Sequence, residues 1–119
     1  KNKRGGYWIE NYVPEYTVGN TQILTKDDLL EKWNDILVNV NWSHKEDGFF
    51  KIWANSKLVF DYKGKTKSKN TKTYFKFGIY RSKVSLYEQI HKKKIPTQVI
   101  YFDEVRAGKK KEDVIIKLQ

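Results

Sequence analysis

An all-β, antiparallel sandwich is the fold class that this sequence predicts, and three observations predict it. Short runs alternate between apolar and polar residues, as strands with one buried face do. Helical periodicity is scarce along the same runs. Aromatic residues reach 15%, with 4 Trp, 8 Tyr and 6 Phe, which excludes a disordered tail. A chain of 119 residues suits a single domain over 1–119, and one of this size buries roughly two thirds of its unfolded surface.

The elements follow in chain order. Lys1 to Gly6 reads as a basic, flexible lead-in. Tyr7 to Tyr12 reads as a short strand that Pro14 ends. Val18 to Leu24 reads as another, with Gly19-Asn20 as a turn. Thr25-Lys26-Asp27-Asp28 is a capping box. It predicts a short helix over roughly 26–33 with Leu29, Leu30 and Trp33 on its buried side. Asp35 to Trp42 alternates cleanly, with Ile36, Val38, Val40 and Trp42 on one face and Leu37, Asn39 and Asn41 on the other. After a polar turn from Ser43 to Gly48, Phe49 to Ala54, Asn55-Ser56 and Lys57 to Tyr62 spell a β-hairpin. Lys63 to Lys72 is a long polar loop. Tyr74 to Tyr80 reads as a strand, and Arg81 to Thr97 as a loop with a helical turn near Ser85 to Ile90. Residues 98–107 and Asp113 to Leu118 are the last two predicted strands. No internal repeat and no interdomain linker interrupts this order.

The formal net charge is +10, from 24 Lys plus Arg against 14 Asp plus Glu. Such a balance predicts an anionic partner. Nucleic acid, anionic lipid and acidic polysaccharide all qualify on charge alone. There are no Cys residues, which excludes disulfides and thiolate metal sites. No stretch approaches the length of a membrane span, and a membrane is not among the expected partners. No signal peptide is visible. The chain starts with Lys1, and Gly5-Gly6-Tyr7-Trp8-Ile9-Glu10 already reads as a strand approach. The expectation is a C-terminal portion of a longer domain.

Residues 74–80, Tyr-Phe-Lys-Phe-Gly-Ile-Tyr, say most about function. In a strand, Phe75, Phe77 and Ile79 share an apolar face fit for a core. Tyr74, Lys76, Gly78 and Tyr80 share the other face. Glycine inside a strand often marks close approach by a ligand or another backbone. Lys76 and Tyr80 lie about 13 Å apart between Cα atoms at roughly 3.3 Å per residue, so both side chains can converge on one sugar-sized ligand lying along the strand. Half-solvated strands also carry Tyr and Lys on a wet face with no ligand at all.

The segment with its continuation, Tyr74 to Ser82, resembles the Tyr-Phe-Lys-x-Gly-x-Tyr strand of jelly-roll polysaccharide lyases. Alginate lyases and the heparin lyase I-like and glucuronan lyase-like groups share this architecture. Trp33-Asn34-Asp35, Trp42-Ser43 and Asp47-Gly48 through Trp53-Ala54-Asn55 resemble an ordered run of the heparin lyase I-like group. Val99 to Val105 resembles a late strand of the same fold. The likeness covers roughly residues 30–108. The resemblance implies a concanavalin A-like β-jelly-roll, present here in part. It implies cleavage of an acidic, uronate-containing polysaccharide by β-elimination. The proton beside the sugar carboxylate leaves, the glycosidic oxygen departs, and the carboxylate charge must be neutralised. The second tyrosine of the family strand serves as acid, or as acid and base, and this role maps onto Tyr80. The lysine maps onto Lys76, which binds substrate or stabilises charge. Tyr74 can stack on a sugar ring. Lys72 adds a substrate-binding cation. Arg81 alternates onto the opposite face and is either a carboxylate clamp or a surface cation.

Other motifs carry less. Gln89-Ile90-His91 matches an alginate lyase tripeptide, but that family places it before the tyrosine strand, and here it follows. His44 sits in a polar turn. The family's carboxylate-neutralising residues lie mostly in its first half. Lys63, Lys65, Lys67, Lys69 and Lys72, and the run Lys109-Lys110-Lys111, are polyanion contacts or solvated surface. Some family members bind calcium, but no spacing among Asp47, Asp61, Asp103 and Glu104 matches a calcium loop, so no cofactor is expected. Asp103 recurs at that place in the family, and its reading is structural. Asn55-Ser56 departs from the family's Asn-Gly, which bears on the turn alone. The resemblance further implies a secreted or periplasmic monomer with an anionic polysaccharide as partner. A non-catalytic carbohydrate-binding jelly-roll for anionic glycans is the alternative. A single-strand nucleic-acid binder is disfavoured because the aromatics read as largely buried and no RNP-like motif is present.

Overall fold

The computed structural model describes residues 7–9 and 21–116. The predicted lead-in over Lys1 to Gly6, the far end of the first predicted strand with its Pro14 stop, the start of the second with the Gly19-Asn20 turn, and the last residues of the final predicted strand lie outside them. The chain divides into two compact units, Lys1–Thr73 and Tyr74–Gln119.

The first unit is antiparallel sheet. Strands β1 (Tyr7–Ile9) and β2 (Thr21–Leu24) pair with each other. Strands β3 (Ile36–Asn41), β4 (Phe49–Ala54) and β5 (Lys57–Lys63) form a second sheet in that order. Register puts Ile36, Val38 and Val40 opposite Ala54, Ile52 and Phe50, so the predicted apolar face of β3 continues onto β4. Trp42 meets Phe50 edge to face, with ring centroids 5.6 Å apart, and Phe50 meets Phe60 at 6.0 Å. Such pairs add about 0.5–1.5 kcal/mol beyond their buried area.

The buried core is Ile23, Leu24, Ile52, Ala54 and Phe60, with Ile9, Ile36, Phe50, Val59 and Tyr62 packed around it. Two bulges shape it. Between the pairs Tyr7↔Leu24 and Trp8↔Gln22, β2 holds one extra residue, Ile23. Strict alternation would send neighbours Ile23 and Leu24 to opposite faces, and the bulge lets both be buried. Between Ile52↔Phe60 and Trp53↔Leu58, β5 likewise holds Val59 as an extra residue.

The β4–β5 turn is made by Asn55 at φ 49° and Ser56 at φ 68°. Positive φ at both positions is what a two-residue hairpin turn with the right twist demands. Asn55 also anchors the start of β3. Its backbone N–H donates to Asp35 O at 2.8 Å, its Oδ1 accepts from Asp35 N at 2.9 Å, and its Nδ2 donates to Asn34 Oδ1 at 3.0 Å.

Helix α1 (Lys26–Leu29) begins with the predicted capping box. Asp28 N donates to Thr25 Oγ1 at 3.1 Å, and Thr25 N donates to Asp28 Oδ2 at 3.0 Å. The helix is shorter than predicted. Glu31 takes φ 58°, which a right-handed helix cannot continue through. Its predicted buried side is exposed instead, with Trp33 at 71%.

The second unit departs further from expectation. Helix α2 (Val84–His91) is the predicted helical turn, flanked by Lys83 and Lys92 in the left-handed region. A 3₁₀ turn over Lys111–Asp113 and irregular chain to residue 116 occupy the start of the last predicted strand. Residues 74–80 and 98–107 form no strand. The physical reason is pairing. A strand is held by N–H and C=O bonds to a neighbour, and among the described residues neither segment makes a backbone–backbone hydrogen bond. Alternation specifies which side chains share a face, and leaves the partner unspecified.

Candidate active site

The sequence-predicted set falls in both units: Lys72 in the first, Tyr74, Lys76, Tyr80 and Arg81 in the second. Over residues 74–77 the side chains alternate as a strand's would, although no ladder forms. Lys76 Nζ stands 4.8 Å from the centroid of the Tyr74 ring, a contact of about 0.5–1 kcal/mol at an exposed site. Phe75 and Phe77 stack at 6.0 Å, with 28° between ring planes. Phe77 also meets Phe102 edge to face at 5.4 Å. Two predicted strands therefore touch through their apolar side chains.

That apolar face is not a core. Phe75 is 73% exposed and Phe77 59%, because no layer among the described residues of this unit covers them. Tyr80 is 93% exposed, and its phenol has no hydrogen-bond partner among the described residues.

Gly78 corrects the expectation of a close backbone neighbour. Its φ of +134° is a backbone state that side-chain-bearing residues rarely adopt. Nothing lies within 4 Å of where a Cβ would stand. Backbone conformation, with no close neighbour, explains this glycine. It also ends the regular alternation that runs from Tyr74 to Phe77, so the period-two rule does not carry the Lys76 face through to Tyr80.

Arg81 Nη2 donates to Pro96 O at 2.8 Å. One arm of the guanidinium thus holds the chain after α2, and the side chain is half-buried. His91 packs on Tyr87 one helical turn earlier, centroids 4.3 Å apart. Lys72 is exposed and makes no side-chain hydrogen bond, ion pair or ring contact among the described residues.

The Trp-Ser and Asp-Gly landmarks prove to be a fastening in the first unit. Ser43 Oγ donates to Asp47 Oδ1, and Asn41 Nδ2 donates to Asp47 O at 3.1 Å, closing the β3–β4 turn. Gly64 N donates to Gly48 O at 2.8 Å, and a Cβ on Gly48 would stand 2.3 Å from Gly64 O. Thr66 completes the fastening and is the residue that sequence reasoning missed. It donates through Oγ1 to Asn41 O at 2.7 Å, accepts from Ser43 N at 2.8 Å, and donates through its own N–H to Ser43 O at 2.8 Å. The available signal was a β-branched hydroxyl amid regularly spaced lysines.

Among the described residues, no group of three or more His, Asp or Glu side chains is gathered as a metal site, and no helix is long and apolar enough to cross a membrane. Asp28 is the one described group whose titration clearly departs from its ordinary range. The Thr25 hydroxyl bond, then the Thr25 backbone bond, hold its carboxyl below the usual aspartate value.

No curated protein and no solved structure matches the chain significantly. The polysaccharide lyase family model matches residues 4–106, spanning both the fastened hairpin and the Tyr74–Arg81 segment, and on that match the chain belongs to the polysaccharide lyase family.

Proposed function

We propose that the chain carries the elimination site of a lyase acting on an acidic, uronate-containing polysaccharide, in a jelly-roll sandwich of which the two antiparallel sheets are part. In that reaction the proton beside the carboxylate is removed and its electron pair forms a ring double bond. The glycosidic oxygen leaves as that bond forms and takes up a proton. Tyr80 is the acid, or acid and base. Lys76 neutralises the carboxylate or the charge that develops next to it. Tyr74 offers a ring to the sugar. Arg81 has guanidinium donors beyond the one held by Pro96 O, and Lys72 precedes the segment by two residues in the chain and adds a cation.

The observation that supports this reading best is the pairing of the family match with the polar end of the segment. Lys76 and Tyr74 stand together, and Tyr80 presents an exposed phenol with no partner among the described residues. We place the protein outside the cytoplasm as a monomer, where a polymeric substrate is met, and assign it no cofactor.

The test is ultraviolet absorbance of the unsaturated product on a panel of uronate polymers, with the wild-type chain beside Tyr80→Phe. The expected result is product from wild type on at least one polymer and a loss of at least about 100-fold in the variant, the usual scale for removing acid–base catalysis. A flat wild-type trace with polymer binding retained would replace this reading by the carbohydrate-binding module.

A further inference from the structure

From the last residue of β5 to Thr73 the chain presents lysines at 63, 65, 67, 69 and 72 with no acidic residue among them. Composition alone calls this solvated surface, but the backbone says more. Gly64 and Thr66 are fastened to the β3–β4 turn by the bonds to Gly48, Asn41 and Ser43 already described. Lys67 N donates to Ser43 O at 3.2 Å, and Tyr62 OH donates to Lys65 O at 2.9 Å. Thr71 caps the far end, with Oγ1 donating to Ser68 O at 2.8 Å. Lys67 Nζ is spent on Thr71 O at 3.3 Å. Lys63, Lys65 and Lys69 are exposed, and none of their ammonium groups has an ion-pair or hydrogen-bond partner among the described residues. Two acids stand at this frame: Asp47, which accepts from Ser43 Oγ, and Glu46, whose Oε2 lies 3.5 Å from the Cβ position of Gly64.

We infer that this fastened loop is a preordered cationic platform in the first unit, which binds anionic polysaccharide through Lys63, Lys65 and Lys69. The inference rests on the polysaccharide reading above and adds to it binding residues of the first unit that the proposed elimination site does not use. A fixed backbone lowers the ordering cost that a floppy basic tail would carry on binding. Lysine is a compact point charge that suits carboxylates without demanding a bidentate geometry. Residues 63–72 contain no aromatic side chain, so the stacking surface that single-stranded nucleic acid uses is missing.

The experiment measures binding of the whole chain to immobilised alginate across a NaCl series. One variant carries Lys63→Gln, Lys65→Gln and Lys69→Gln. A charge-matched control carries Lys92→Gln, Lys93→Gln and Lys94→Gln, three exposed lysines of the second unit. The loop variant is expected to lose about tenfold in affinity, and its plot of log affinity against log salt to flatten by about 2, at roughly 0.7 per cation lost. The control is expected to change less than about threefold, the scale of scattered exposed charges. Equal losses in both sets would mean that only net charge matters, and would overturn the platform. A third variant with arginine at the three loop positions should bind as wild type does; if it fails like the glutamine set, the loss is structural and the inference falls. Tighter binding of single-stranded DNA of equal charge would overturn the polysaccharide assignment. Binding through the loop without any unsaturated product would sink the lyase reading alone. Product formation with undiminished affinity in the loop variant would sink the platform alone.

Discussion

At Gly48 the absence of a side chain is a packing requirement. A Cβ there would stand 2.3 Å from Gly64 O and 2.9 Å from Thr66 Oγ1. Gly64 cannot easily move aside, because its N–H donates to Gly48 O and its own φ is +139°. Gly48→Ala should therefore force apart the two chains that close the base of the hairpin, at about 1–3 kcal/mol, the usual cost of overpacking. Urea unfolding followed by tryptophan fluorescence checks this, and an unchanged midpoint with an unchanged slope would show that the close approach does not exist. Gly78 makes the contrasting case. Its surroundings are open, so its constraint is purely conformational. The two glycines look alike in sequence and are needed for different reasons, one for space and one for φ.

The capping box of α1 shows the element scale. Asp28 is held below its usual range by accepting from Thr25, so the folded carboxyl is a stronger acid than the unfolded one. By linkage, its contribution is fully present above the ordinary aspartate value near 3.9. It is lost as pH falls below that value and through the folded one. The Thr25 and Asp28 amide signals should shift across that acidic window in an NMR titration and stay constant from pH 5 upward. Asp28→Asn should abolish the shift at Thr25, and a transition near neutral pH would contradict the assignment. This box, strand β3 and the β4–β5 hairpin were all legible in the sequence because their signals are local: a cap spanning four residues, a period of two, a two-residue turn. The bulges at Ile23 and Val59 were not legible, since one extra residue leaves no local mark. The end of α1 was not legible, because Leu29, Leu30 and Trp33 suggest a buried side that no described residue covers. For the candidate segment, the Tyr74/Lys76 pairing on one face was readable. The conformation of Gly78 and the bond from Arg81 to Pro96 were not, because both depend on how the chain turns after the segment.

Across the whole molecule, burial and chemistry are divided. Every buried hydrophobic side chain among the described residues lies between Ile23 and Phe60, in the first unit. The candidate catalytic segment lies in the second, where Phe75, Phe77, Tyr101 and Phe102 are exposed. Stability tracks buried apolar contact and protected backbone bonds. Native-state hydrogen exchange should then separate the chain sharply. Amides of Phe50, Ile52 and Ala54, in the central strand between β3 and β5, should exchange slowest. Amides of 74–80 and 98–107, which lack backbone partners among the described residues, should exchange within the fastest class. The measurement bears on function as well as fold, since a catalytic phenol must be held in place to act. Fast exchange through 74–80 would mean that Lys76 and Tyr80 are positioned by their side-chain neighbours or by substrate. Protection there equal to that of β4 would mean that a strand ladder forms after all. The period of two in Tyr74 to Phe77 would then have specified a strand whose partner the sequence alone does not identify.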